Sequence, residues 1–253
     1  MAVIDRPVRI PKLAFHLIWD LADLGEPHPV VGTNNYYMTS EFQAEMEVRA
    51  LGRLAQLGLA SDGLVDRRLN GTLRAIAECD SQFYAWSTFH DRDDSGAILL
   101  AAAGPDAVRL ITDHEIVQLE PISPSRLAEQ FVATLPDVPG AGIRPMAVSR
   151  AAYGPRDFDA QDPLAEARVS GSAEYLRELM RAERDAVHQL YVAVRDRAGA
   201  RRRSLPLSAI DLADEGRVLT YLTDSDDGEE EINLVSGTSR KLVAVLEATV
   251  DGL

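Results

Sequence analysis

Residues 82–121 read QFYAWSTFHDRDDSGAILLAAAGPDAVRLITDHEIVQLEP, and this stretch decides the fold class. Its apolar residues follow the period of an extended chain, and short runs of turn-forming residues interrupt them. The pattern predicts strands over 82–90, 96–103, 107–112 and 115–121. Because the connections are too short to hold a crossover helix, they favour an antiparallel meander.

Helical periodicity precedes the meander. After a short opening strand over 8–10, apolar residues at helical spacing predict a short helix or an extended amphipathic stretch over 13–24. A second helix is predicted to begin at Ser40, where Gln43 completes a capping-box pattern. A third is predicted over 64–77.

A helix closes the first part of the chain, and a similar order of helix, strands and helix follows beyond it. Ser123 and Pro124 predict the cap and first turn of a helix with apolar residues up to Leu135, and Pro136 stops it. The remaining predicted elements are a helix over 163–183, strands over 186–195, 201–207, 217–223 and 230–234, and a last helix over 236–250.

These elements predict a single α+β domain over 1–253, with a central antiparallel sheet flanked by helices. It would consist of two pseudo-symmetric halves, each a helix, a meander and a helix, over about 1–136 and 163–253. The Pro- and Gly-rich segment 137–162 between them is predicted to be a linker or a long surface loop. The recurrence lies in the order of elements rather than in residues, so an internal repeat and a coincidence both stay open.

Composition narrows the function classes. The 253 residues include 26 Lys and Arg against 40 Asp and Glu, and this net charge of −14 argues against nucleic acid as a partner. The most apolar stretch, 97–103, is far shorter than the ~20 residues of a membrane helix. Charges interrupt the first eleven residues, unlike a signal peptide, and Cys79 has no second cysteine to pair with. We therefore expect a cytoplasmic protein without membrane insertion.

Signatures of catalysis are missing from the sequence. The five histidines are dispersed without metal-ligand spacing, and the phosphate-binding, dinucleotide-binding and nucleophile-elbow motifs do not occur. Cys79 lies beside two carboxylates, which disfavour a reactive thiolate. We expect no catalytic residue, metal or cofactor. An enzyme with an unrecognised pocket stays an alternative, which a cluster of His90, His114 or His188 with an acid in a deep cleft would favour.

Two charge clusters and one aromatic strand suggest surfaces. The strand over 82–90 carries aromatic residues on both faces, so one set faces the core and the other needs cover. The clusters mark predicted hairpin tips, where they either keep turns solvated and protect strand edges or, for the arginines, contact an acidic partner. The basic cluster is Arg195, Arg197, Arg201, Arg202 and Arg203, and the acidic cluster is Asp224, Asp226, Asp227, Glu229, Glu230 and Glu231.

Several local patterns resemble the EspG family, the ESX secretion-associated proteins of actinobacterial type VII secretion. The similarity covers most of residues 8–150 by pattern and the second half by element order. The matching pieces are the acidic helix from Glu41 to Leu57 leading into Gly58-Leu59, Asp66-Arg-Arg-Leu69 with Leu73 and Ile76, the strand end Ala101-Ala102-Ala103-Gly104 followed by Asp106-Ala107-Val108-Arg109, and the helix over 127–135 with Pro136 after it.

The resemblance implies a non-catalytic cytosolic chaperone or adaptor. Such a protein binds the helical tip of a PPE-type protein in a PE–PPE heterodimer and keeps it soluble for export. An α+β interaction module unrelated to secretion stays a further alternative, and the oligomeric state stays open. The contact surface implied by the resemblance comprises a turn with Asp91, Arg92, Asp93 and Asp94, a sheet face near Gln189 and Tyr191, and the C-terminal helix with Leu246.

Overall fold

The computed structural model describes residues 3–32, 39–90, 95–153, 163–225 and 227–253. Its helices are α1 (Lys12–Leu21), α2 (Ser40–Gln56), α3 (Arg67–Ala77), α4 (Leu127–Val132), α5 (Arg150–Tyr153), α6 (Pro163–Leu179) and α7 (Ser239–Asp251), with a short 3-10 helix at Pro29–Val31. Its strands are β1 (Val8–Pro11), β2 (Ala60–Ser61), β3 (Leu64–Val65), β4 (Ser81–Phe89), β5 (Ser95–Ala103), β6 (Asp106–Thr112), β7 (Ile116–Ile122), β8 (Met146–Ser149), β9 (Arg184–Arg195), β10 (Arg201–Arg203), β11 (Leu207–Leu212), β12 (Gly216–Asp224) and β13 (Glu230–Ser236).

One large antiparallel sheet organises the molecule. Its strand order is β1-β7-β6-β5-β4-β9-β11-β12-β13-β8, with β10 paired to β9, while β2 and β3 form a separate small hairpin. The strands β4 to β7 are sequential neighbours, as the short connections predicted. The α+β class with an antiparallel sheet and flanking helices is therefore confirmed.

The centre of the sheet is the pairing of β4 with β9, which runs from Ser81 opposite Val194 to Phe89 opposite Ala186. Strands from the first part of the chain lie on one side of this seam, and strands from the second part lie on the other. Each outer edge is a short strand, β1 on one side and β8 on the other. This order is consistent with the predicted halves, whose equivalence stays a prediction.

Helices cover both faces of the sheet. On one face, α1 and α3 bury side chains such as Phe15 and Leu73 against β4 to β7. On the other face, α4 and α7 bury Phe131 and Leu242 against the seam strands. A third cluster joins α6 to β8 and to the strands β11 to β13. Full burial of each such side chain contributes roughly 1.5–3 kcal/mol to folding.

The first and third clusters lie on the same face of the sheet. Tyr191 packs against the first cluster and Val187 against the third, and both belong to β9. Successive strand residues alternate between faces, so these two residues, four positions apart, point to the same side. This face therefore has one helical layer beside the first-part strands and another beside the second-part strands.

Several local expectations need correction. Thr39, rather than Ser40, caps α2, because its hydroxyl accepts a hydrogen bond from the Phe42 amide at 3.3 Å. Helix α4 begins only at Leu127, after Arg126 in a left-handed conformation, and has no side-chain cap from Ser123. The predicted cap and first-turn proline therefore precede the helix instead of starting it.

Two strands are placed differently from the prediction. Within the segment 137–162, expected to be a linker or loop, β8 pairs with β13 and forms an edge of the large sheet. The predicted strand over 201–207 ends at Arg203, and a separate strand, β11, runs from Leu207 to Leu212. Pro206 lies between them, where its missing N–H would interrupt a ladder.

Candidate protein-binding face

A row of side chains crosses the sheet on the face that carries both helical layers. Trp86 lies opposite Gln189, Gln189 opposite Ser208, and Ser208 opposite Thr220. Directly opposed residues point to the same face, so this row spans β4, β9, β11 and β12. Gln189 is exposed and the other three are partly exposed. We call these four residues, together with Tyr191, the open strip.

An aromatic cluster forms one end of the open strip. The rings of Tyr84 and Tyr191 stack with centroids 5.2 Å apart, and Trp86 meets both edge-on at 5.4 and 5.5 Å. His28 meets Tyr84 from the buried side at 4.8 Å, and the Arg203 guanidinium lies 5.4 Å from the Tyr191 centroid. Each aromatic pair adds about 0.5–1.5 kcal/mol beyond its buried area. The strip therefore has a rigid, amphipathic floor.

Burial controls the protonation of this cluster. Burial, together with the smaller effect of the nearby positive charge of Arg201, lowers the pKa of His28 to about 4. The imidazole is therefore neutral near neutral pH, and its Nδ1 accepts a hydrogen bond from the Val30 amide at 3.2 Å. Burial also raises the pKa of Tyr84, against a smaller opposing effect of Arg203. The floor of the strip consists of uncharged rings.

The predicted contact residues fall in different places. Gln189 and Tyr191 lie together in the open strip. Leu246 is fully buried between α7 and the opposite face of the sheet, so its side chain belongs to the core and does not reach the surface. The predicted turn residues Asp91, Arg92, Asp93 and Asp94 lie outside the described residues. Partner contact by any of these residues stays a prediction.

The strip contains residues that the sequence pattern did not single out as contacts. Ser208 and Thr220 join it only through the register of β11 and β12. Trp86 had a signal, because aromatic residues on both faces of its strand meant that one set needed cover from helices or a partner. The position of Trp86 beside Gln189 follows from the β4–β9 pairing alone.

A buried polar chain lies on the opposite face of the seam. The Ser87 hydroxyl is 2.7 Å from Nδ1 of His188, and Nε2 of His188 is 3.2 Å from Asp211. Arg217 donates to both oxygens of Asp211, at 2.5 and 2.9 Å. Burial alone would raise the pKa of Asp211, but the hydrogen bonds from Arg217 and His188 outweigh it, and the pKa lies below its usual value. Since the carboxylate can only accept, His188 donates from Nε2 to Asp211.

This chain has the residue types of a nucleophilic triad but not its access. Ser87 is 5% exposed, His188 0% and Asp211 2%, so a substrate cannot reach the hydroxyl without opening the core. Asp211 is also neutralised by Arg217. The other two histidines considered, His90 and His114, are exposed on the surface. An enzyme site of the kind considered would place a histidine and an acid in a deep cleft, whereas His188 and Asp211 are buried in the core. Together with Ser87 and Arg217, they link four neighbouring strands.

Metal and thiol chemistry have little support in the described part of the chain. Its histidines, cysteine and carboxylates form no group of three or more that could hold a metal ion. Burial raises the pKa of the Cys79 thiol. Among the residues described, no helix is long and apolar enough to cross a membrane.

The fold and the open strip define a class of α+β protein in which one antiparallel sheet keeps part of a face accessible between two helical layers. The chain belongs to the EspG family, whose model matches residues 11–248. None of the curated proteins is similar enough in sequence to match the chain. The match to the family model confirms the resemblance seen in the sequence patterns.

A solved structure shares the fold over nearly the whole chain. It is the Mycobacterium tuberculosis type VII secretion system chaperone EspG5, determined in complex with a PE25–PPE41 dimer. The match has a TM-score of 0.72 and 14% sequence identity, and it covers 98% of this chain and 96% of that one. At this identity the likeness establishes the common architecture.

Proposed function

We propose that this protein is a cytosolic, non-catalytic chaperone of type VII secretion that binds the helical tip of a PE–PPE-type pair and keeps the pair soluble for export. The observation that carries the proposal is membership of the EspG family. It is supported by the fold shared with a chaperone that was solved in complex with a PE–PPE dimer.

The open strip is the surface that fits this role best. A helical tip exposes apolar side chains that aggregate unless they are covered. Trp86 and Tyr191 offer rigid ring surface for such side chains, since aromatic residues dominate the energetics of protein interfaces. Gln189, Ser208 and Thr220 offer hydrogen-bonding groups for the turn between helices. The net charge of −14 would help to keep the complex in solution.

Co-expression tests the proposal directly. The chain would be tagged and co-expressed with each PE–PPE pair encoded in its own genome, and we expect at least one pair to co-purify with it in stoichiometric amount. Failure of every pair to co-purify would contradict the proposed function.

A substitution in the strip then locates the contact. Gln189→Arg places a charged side chain in the middle of the strip, at an exposed position that should not disturb folding. We expect it to weaken binding by at least about 2 kcal/mol, roughly thirtyfold, as for residues at an interface centre. Gln56→Arg, the same change at an exposed position of α2, is the matched control and should bind like the wild type. Equal binding by both variants would move the contact away from the strip.

A further inference from the structure

The hairpin formed by β9 and β10 concentrates positive charge in an acidic protein. We call it the arginine hairpin, and its arginines are all exposed. None of them takes part in an ion pair with any described residue. Its members are Arg195, Arg197, Arg201, Arg202 and Arg203.

Three of these side chains have other contacts. Arg195 donates to the Gly199 carbonyl at 3.0 Å, Arg201 donates to the Ala77 carbonyl at 3.3 Å, and Arg203 lies over Tyr191. Arg197 and Arg202 donate no side-chain hydrogen bond to any described residue. The hairpin therefore has guanidinium groups free to bind carboxylates, which match their fork of N–H donors.

Among the residues that the structure describes, the acidic hairpin between β12 and β13 forms no ion pair with the arginine hairpin, although both reach the same end of the sheet. Strand β12 runs parallel to β9, because each is antiparallel to β11. In the described structure β10 pairs only with β9, so the arginine hairpin and the acidic hairpin extend separately from this end of the sheet. Glu230 of the acidic hairpin instead forms an ion pair with Arg150, which follows the edge strand β8 on the side away from β9, at 2.5 Å.

We propose that the arginine hairpin binds an acidic segment of the protein partner that occupies the open strip. The proposal rests on the proposed function and adds the chemistry of the partner. Arg203 connects the two surfaces, because it projects from β10 over Tyr191 of the strip. A partner on the strip thus brings its flanking residues into the positive field of the hairpin, to which Arg197 contributes at the tip and Arg202 from the other face, since it lies opposite Val194. Protection of a strand edge against pairing would also explain exposed arginines, but in that case replacing them would leave partner binding unchanged.

Charge reversal of the two uncommitted arginines tests the inference. The Arg197→Glu, Arg202→Glu double variant and the wild type would be compared by biolayer interferometry against the PE–PPE pair that co-purifies. We expect the association rate to fall about tenfold in 50 mM NaCl and the difference to shrink in 300 mM NaCl, as for charges that steer encounter. A hepta-glutamate peptide should slow the wild type but not the variant. The exposed pair Arg67→Glu, Arg144→Glu carries the same charge change elsewhere and should leave the rate near that of the wild type.

The outcomes separate this inference from the proposed function. If a pair binds and the double variant associates at the wild-type rate in low salt, the arginine hairpin is not a contact while the chaperone function stands. If no pair binds, the proposed function fails, and hepta-glutamate alone is titrated into the ¹⁵N-labelled chain. Shifts at the Ala198 and Gly199 amides that the double variant loses would still support an acidic ligand, and their absence would overturn it. A dimer of the wild-type chain that the double variant abolishes would also overturn it, since the occupant would then be the acidic hairpin of a second copy.

Discussion

Replacing Asp211 by Asn should destabilise the protein strongly, although it only exchanges one carboxylate oxygen for an NH2 group. Arg217 is 2% exposed, and its partners at Asp211 lie at 2.5 and 2.9 Å. The variant keeps an acceptor for His188 but leaves the guanidinium buried without its counter-charge. Removing one partner of a buried ion pair costs about 3–5 kcal/mol. For a chain of this length, each kcal/mol lowers the melting temperature by roughly 2–4 °C, so we expect a fall of about 6–20 °C.

The pH dependence of this effect gives a second measurement. The pKa of Asp211 lies below its ordinary value of 3.8 in the folded protein. Such a carboxyl stabilises the fold above its unfolded pKa, and the contribution is lost as the pH falls through the lower folded pKa. The difference in melting temperature between wild type and variant should therefore be constant near neutral pH and shrink below about 3.8.

Thermal melts followed by circular dichroism, with urea unfolding in parallel, measure both quantities. Asp251→Asn, at an exposed position of α7, is the control and should change stability by less than about 0.5 kcal/mol. A melting temperature for Asp211→Asn within about 2 °C of the wild type near neutral pH would refute the reasoning, because it would mean that the ion pair is not needed to keep the arginine buried.

Three further predictions concern packing and protonation. Gly237→Ala should lower the free energy of unfolding, measured in urea, by about 1–3 kcal/mol, because a Cβ there would lie 2.9 Å from the backbone of Arg217. Gly142→Ala has open space around its Cβ and should leave the free energy of unfolding nearly unchanged. Leu246→Ala removes a buried side chain and should lower the free energy of unfolding by about 2–5 kcal/mol, whereas Leu64→Ala, at an exposed position, should lower it by less than about 0.5 kcal/mol. Equal losses of stability in the two variants would contradict the core position of Leu246. Because the pKa of His28 is lowered from 6.5 to about 4, stability should decline as the pH falls from 6.5 to 4, and His28→Gln should flatten that decline in pH-dependent melts.

The sequence predicted most of the sheet because its strands alternate and its turns are short. Strand β8 was missed, since four residues beside Pro145 are too few to show a period. Its role as an edge depends on pairing with β13, which is a tertiary contact. The division of the predicted strand over 201–207 at Pro206 depends on one missing donor.

The candidate site was predictable only where it follows from a single strand. Alternation along β9 places Gln189 and Tyr191 on one face, and the structure agrees. Ser208 and Thr220 join them through cross-strand register, which hydrophobic periodicity does not contain. Leu246 had an available signal, because it forms a buried stripe with Leu242 and Val245 at helical spacing, and that stripe faces the sheet.

The seam between β4 and β9 also has a kinetic meaning. Its paired residues are between 97 (186 − 89) and 113 (194 − 81) positions apart along the chain. Contacts that are so distant in sequence form late and slowly, because closure of a long loop must precede them. Until that step, each half of the sheet would present an unpaired strand edge of the kind that recruits other chains. We therefore expect a single late folding event to close these two edges and, in the same step, to assemble the row from Trp86 to Gln189.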